Sequence, residues 1–143
     1  MAIVVGVDGS GQSREALRWA LEEARLRGTG VHVVHAWSLP IGGVSPGLGA
    51  SFDAELLDGL RRDAEQLVER VLADVADAGV ELESSVAEGP AAPALVEAAD
   101  GADLLVVGSR GHGGFAGLLL GSVSQQAAHH APCPVVIVRG AGG

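Results

Sequence analysis

Short β-branched apolar runs alternate with longer stretches of helical periodicity along the chain, and this alternation restricts the fold more than any other feature. The runs are AIVVGV (2–7), VHVVHAW (31–37), VELESSVAE (80–88), DLLVVG (103–108) and PVVIVR (134–139). Those at 2–7 and 103–108 are apolar throughout the centre, as in strands buried on both faces. Residues 80–88 alternate apolar with polar, as in an outer strand with one wetter face. Between the runs, Leu17, Ala20, Leu21 and Ala24 repeat at helical spacing over Ser13–Arg27, and Gly28 supplies a stop. From Asp53 to Ala78 a longer stripe appears: Leu56, Leu57, Leu60, Ala64, Leu67, Val68, Val71, Leu72 and Val75. Ser51 is its cap and Gly79 its terminator. Pro90 and Pro93 open a short helix through Asp100, and a fourth helix is expected from about Ser122 to His130. The order β-α-β-α-β-α-β-α-β predicts a parallel sheet with right-handed crossovers and helices on both faces. With 143 residues, one domain over 1–143 is expected, large enough to bury a core without staples.

Composition removes several function classes. All nine basic residues are arginine, so a Walker A phosphate loop, a Schiff-base lysine and any other lysine chemistry are excluded. A net charge of −9 with 3% aromatic residues supplies neither the basic field nor the stacking surface that nucleic acid requires. The single cysteine, Cys133, excludes an internal disulfide and a multi-cysteine zinc site. The N-terminus shows no basic leader or cleavage site, and no apolar run reaches membrane-spanning length, so a cytoplasmic location without membrane contact is expected.

Charge and glycine point to one region. Residues 1–103 hold all 18 acids and seven of the nine arginines, whereas 104–143 hold only Arg110 and Arg139. An acid-free, glycine-rich segment in an acidic chain suits an anionic ligand; a charge-excluding buried strand and helix would look the same. In parallel α/β sheets ligands sit at the carboxyl ends of the strands, where strand order reverses. The polar, glycine-rich turns of this chain follow strand one, at Asp8-Gly9-Ser10, and strand four, at Gly108-Ser109-Arg110-Gly111. Nine residues after Gly111 come Gly121 and Ser122, at the start of the fourth helix. Glycines let amide groups turn toward a phosphate, and helix N-termini favour negative charge. The Ser122 hydroxyl can donate to a phosphate oxygen or ligate a divalent ion. An ordinary glycine turn with a serine cap is the plain alternative.

The segment GSRGHGGFAGLLLGSVSQQAAHHAPCPVVIVR resembles the C-terminal signature of the universal stress protein family. The pattern G-x2-G-x9-G-S/T of its ATP-binding branch is met at Gly108, Gly111, Gly121 and Ser122. IVVGVDGSGQSREAL, the HAW after strand two, EGPAAPALVEAA and ADLLVVGSRG fit as well, so the resemblance spans all but the 38–52 loop. It implies a Rossmann-like, adenine nucleotide alpha hydrolase-like sheet of order 3-2-1-4-5. It also implies a cytoplasmic ATP-binding stress regulator or sensor, working with magnesium and hydrolysing ATP slowly at most. Nucleotide contacts are then implied at Asp8, Gly9, Ser10, Ala36, Gly108, Arg110, Gly111, Gly121, Ser122, Val123 and Ser124. Asp8 would serve ribose or base, because a carboxylate repels phosphate; organising its own turn is the other role open to it. Ala36 matches the family position whose backbone meets adenine. Arg110 either neutralises phosphate or faces solvent.

Other signals are weaker. Gly111–Ala116 fits G-x-G-x-x-A but follows strand four, and no acid follows Asp103, so it is no dinucleotide fingerprint. His32 and His35 share a strand at a spacing that points them to opposite faces, and His129 and His130 end a helix; neither pair suits a metal. Cys133, between two prolines, reads as a packed thiol. Loop 38–50 is either a lid rooted at Trp37 or an exposed insertion. Alternative functions are a cyclic-AMP-binding member of the same fold, an ATP pyrophosphatase-type enzyme, and a dimeric scaffold without nucleotide. Homodimerisation through the edge strand Val135–Arg139 is expected in any case.

Overall fold

The computed structural model describes residues 2–38, 54–109 and 121–139. Its elements are β1 (Ala2–Gly6), α1 (Gly11–Arg27), β2 (Gly30–Trp37), α2 (Ala54–Asp74), β3 (Leu82–Glu88), α3 (Ala91–Ala98), β4 (Leu104–Gly108), α4 (Ser122–His130) and β5 (Val135–Val138). All strand pairs are parallel, and the five-stranded sheet runs β3-β2-β1-β4-β5. The predicted order is therefore present, with β3 and β5 at the edges. Loop 38–50 (Ser38 apart), Ser51, Arg110, Gly111 and the 111–116 run lie outside the described residues.

Alternation along each strand separates two cores. Ile3, Val5, Val31, Val33, Leu104 and Val106 meet α1 and α2 on one face. Val4, Val34, Leu105 and Val107 meet α3 and α4 on the other. Because successive side chains of a strand point to opposite faces, one apolar run feeds both cores. Gly28 ends α1 at φ 70°, a left-handed position that penalises any Cβ. Pro90 caps α3, and Pro93 stands within its first turn, where an amide would find no helical partner.

The second helix ends earlier than its apolar stripe predicts. It stops at Asp74 rather than Ala78. Val75 N–H then donates to Leu72 O (3.1 Å) and Ala78 N–H to Val75 O (3.1 Å), tighter i→i−3 turns that lead to Gly79 at φ 73°. These turns keep Val75 and Ala78 packed on the core. At the other end the apolar stripe outruns the sheet: Ala64, Val68 and Val71 are buried, whereas Leu56 is 48% exposed. At 21 residues α2 is ~30 Å long, and an eight-residue strand spans ~26 Å at most, so the helix is too long for the sheet to cover fully. Among the described residues no helix is long and apolar enough to cross a membrane.

Candidate functional site

Register brings the ends of β1, β2 and β4 together at the carboxyl edge of the sheet. Gly6 pairs with Val34, so Ala36, two residues on, stands level with Asp8. Val5 pairs with Val106, so Gly108 stands level with Val7 and Ser109 with Asp8. Strand order reverses between β1 and β4, which makes this edge the switch point at which such sheets bind ligands.

The turn after β1 is held by its own side chains. Asp8 Oδ1 accepts from Ser10 N–H at 2.8 Å, and Ser10 Oγ caps α1 by accepting from Ser13 N–H at 3.2 Å. Ser13, buried, returns its hydroxyl proton to Ser10 O at 3.0 Å and accepts from Asp8 N–H at 3.3 Å. Gly9 lies at φ 84°, which the turn requires of it. One carboxylate oxygen of Asp8 therefore does the turn-organising work that the sequence left as one of its two roles. The ring of His35 backs the segment, its Nδ1–H donating to Val7 O at 2.8 Å; the carbonyl can only accept, which fixes the proton on Nδ1.

The turn after β4 is built differently. Gly121 takes an extended conformation (φ −75°, ψ 169°) and offers α4 no side-chain cap. Its N–H donates to Ser109 O at 2.6 Å, and its carbonyl accepts the first helical bond, from Gln125 N–H at 3.0 Å. The amides of Ser122, Val123 and Ser124 are then the orphan donors of the helix start, with no bond to another described residue. Ser122, the first residue of the helix, is itself exposed. Ser124 is 1% exposed and its hydroxyl approaches Ser109 O (3.0 Å) and Gly121 O (2.9 Å), inside the turn. Of the residues proposed from sequence, the structure thus gathers Asp8, Gly9, Ser10, Ala36, Gly108, Gly121, Ser122, Val123 and Ser124 at one sheet edge.

Sequence reasoning missed several neighbours. A groove of about 460 Å³ opens between α1 and α2 beside Asp8 and Gly9, with Arg14, Leu67, Arg70 and Val71 among its walls. None of the α4 residues lines it, so it adjoins the Asp8 end of the site and not the amide end. Its two arginines are cations that no local motif placed there. The bond between Gln12 and Ser109, which joins α1 to β4 across 97 positions, has no local signal in the sequence.

The other titratable candidates are bound elsewhere. His32 Nε2 lies 2.9 Å from Ser85 Oγ, and among the described residues no three His, Cys, Asp or Glu side chains converge on a metal position. Burial, and secondarily the charge of Asp103, pushes the Cys133 thiol above its ordinary range. The thiolate is the reactive form, so alkylation of Cys133 at pH 8 is expected to be slower than that of a free thiol, its rate still climbing above pH 9. Mass-spectrometric kinetics with iodoacetamide check this; alkylation as fast as that of glutathione would contradict it.

Comparison with known proteins identifies the fold and the family. The Universal stress protein family matches residues 1–139. A universal stress protein of Mycolicibacterium smegmatis is 36% identical over 142 residues, covering 97% of this chain and 46% of its own length. The chain thus spans about half the length of the curated relatives it matches. A universal stress protein solved in complex with cAMP is 30% identical, covers 96% of each chain and superposes with a TM-score of 0.71. The universal stress protein from Archaeoglobus fulgidus, solved in complex with dAMP, is also 30% identical, covers 96% of each chain and gives 0.68. Sheet order and a match over nearly every residue lead to one conclusion: the chain belongs to the universal stress protein family.

Proposed function

We propose that the chain binds ATP across the β1 and β4 turns and acts as a cytoplasmic, nucleotide-dependent stress regulator or sensor, one domain over 1–143. The observation that carries the reading is the start of α4, which no side chain caps among the described residues. Three successive amides, Ser122, Val123 and Ser124, lack bonds to any described residue at a switch point, and Ser122 is itself exposed. Such a helix start is suited to phosphate. The relatives solved with cAMP and dAMP support an adenine nucleotide as the ligand class. In this reading Ala36 and Asp8 meet the adenosine end, and Gly108, Arg110 and Gly111 complete the phosphate end. A magnesium ion, when bound with the nucleotide, would neutralise phosphate charge, and the Ser122 hydroxyl is the group placed to reach it.

Binding fits these residues better than turnover does. The chain has no lysine; the Ser10 hydroxyl oxygen caps α1, and the Ser13 hydroxyl donates to Ser10 O. The turn after β1 is therefore a closed cap and not the open serine-rich loop of an ATP pyrophosphatase. Cyclic AMP is the second reading, favoured by the cAMP-bound relative, and it asks the amides to hold a single phosphate. The edge strand β5, half-buried along its length, is our proposed seat for a second copy of the chain.

Native mass spectrometry of the purified chain tests both parts, with ATP and two subunits as the expected mass. Calorimetry then ranks ATP against cyclic AMP. Ser122→Ala is expected to weaken ATP at least about tenfold, the loss of one hydroxyl contact to a charged group. No heat of binding at millimolar ATP would sink the reading.

A further inference from the structure

Ser109, where β4 leaves the sheet, is 4% exposed, and the structure gives each of its polar groups a partner. Its N–H donates to Val138 O at 2.8 Å, and its carbonyl accepts from Gly121 N–H at 2.6 Å and from the Ser124 hydroxyl at 3.0 Å. These bonds tie the amide end of the site to β5 and to itself. The Ser109 hydroxyl goes elsewhere: it donates to Gln12 Oε1, in the first turn of α1, at 2.6 Å. Beside it the backbones touch. A Cβ on Gly108 would lie 3.1 Å from Gln12 O and 3.2 Å from Gln12 C. The start of α1 carries the Asp8–Ser10 turn, so this junction joins the two turns that frame the site.

We propose that Ser109, acting through Gln12, is a positioning residue that fixes the spacing between the adenosine half and the phosphate half of the site. The inference rests on the nucleotide reading above and specifies what sets its selectivity for a phosphorylated ligand. Ser109 need not touch the ligand, since its own groups are engaged within the protein. A ligand that spans both halves gains from a preorganised separation, whereas one that occupies a single half does not. Positioning therefore leaves a signature that plain stabilisation does not: the ratio of nucleotide to nucleoside affinity.

The test is calorimetric titration of the full chain with ATP and, separately, with adenosine. The proteins are wild type, Ser109→Ala, Gln12→Ala, their double mutant and Ser109→Thr. Ser109→Ala and Gln12→Ala should each weaken ATP about tenfold and adenosine by less than about twofold. The double mutant should be no worse than the poorer single by more than about twofold, since both remove one bond. Ser109→Thr, which keeps the hydroxyl, should stay within about threefold of wild type. Gln12 is only half-buried in a helix that accepts alanine, so Gln12→Ala keeps the test open if Ser109→Ala does not fold. Equal losses for ATP and adenosine, unchanged ATP affinity in both singles, or a threonine variant as weak as the alanine one would overturn the positioning role while leaving the nucleotide reading intact. A wild type that takes up neither ligand would remove the nucleotide reading itself.

Discussion

Gly121→Asp is expected to weaken ATP binding at least about 100-fold while leaving the protein as stable as wild type. Position 121 is the N-cap of α4 and already has the extended backbone that any L residue adopts there. Aspartate is among the preferred N-cap residues, so its carboxylate should accept from the orphan amides of Val123 or Ser124 and hold the helix at least as well as glycine does. The same carboxylate then occupies the donors assigned to phosphate and places a negative charge within a few ångströms of it. At ~4 Å and an effective dielectric of ~20, that repulsion is ~4 kcal/mol, ample for the loss stated. Gly121→Asn separates the two causes, for its amide competes for the donors without charge; an intermediate loss of about tenfold is expected. Calorimetry reads the affinity and thermal unfolding reads the fold. Wild-type affinity in a folded Gly121→Asp protein would show that phosphate does not sit on α4.

The largest expected stability effect lies in the opposite core. Leu105→Ala should cost about 2–5 kcal/mol, and lower the melting temperature by roughly 10 °C. Leu105 is fully buried in the second core, which also holds Val4, Val34, Leu95, Ala99 and Ala127, so truncation leaves a cavity that packed neighbours fill only in part. Leu56→Ala is the matched contrast. Both residues are leucines in apolar patterns, but Leu56 is 48% exposed and its truncation should stay within about 0.5 kcal/mol. Urea unfolding of the two variants measures the difference. Equal losses would mean that the N-terminal end of α2 is packed as firmly as β4.

Legibility differed between elements for identifiable reasons. The stop at Gly28 could be read in advance because a left-handed residue at a helix end is a local event. The α4 start at Ser122 could be placed because the spacing from Gly108 to Gly121 is itself a sequence pattern. The end of α2 at Asp74 could not, since Leu72 and Val75 continue the helical stripe while the chain turns more tightly to reach β3. The sequence allows Asp8 two roles because its bond to Ser10 N–H depends on the turn conformation at Gly9.

By itself the sequence determined the elements, their alternation, the two-sided burial of the strands and the two turns in which a ligand site would lie. Those properties follow from periodicity and from backbone preferences, which act between residues close along the chain. Only the tertiary structure decided that Ala36 and Ser109 stand level with Asp8, that within the α2 stripe Ala64, Val68 and Val71 are the buried positions, and that Gln12 grips Ser109. Such facts depend on strand register and on how far a helix overhangs its sheet. Contacts across 97 residues are fixed by the packing of the whole domain, which no local run of residues encodes.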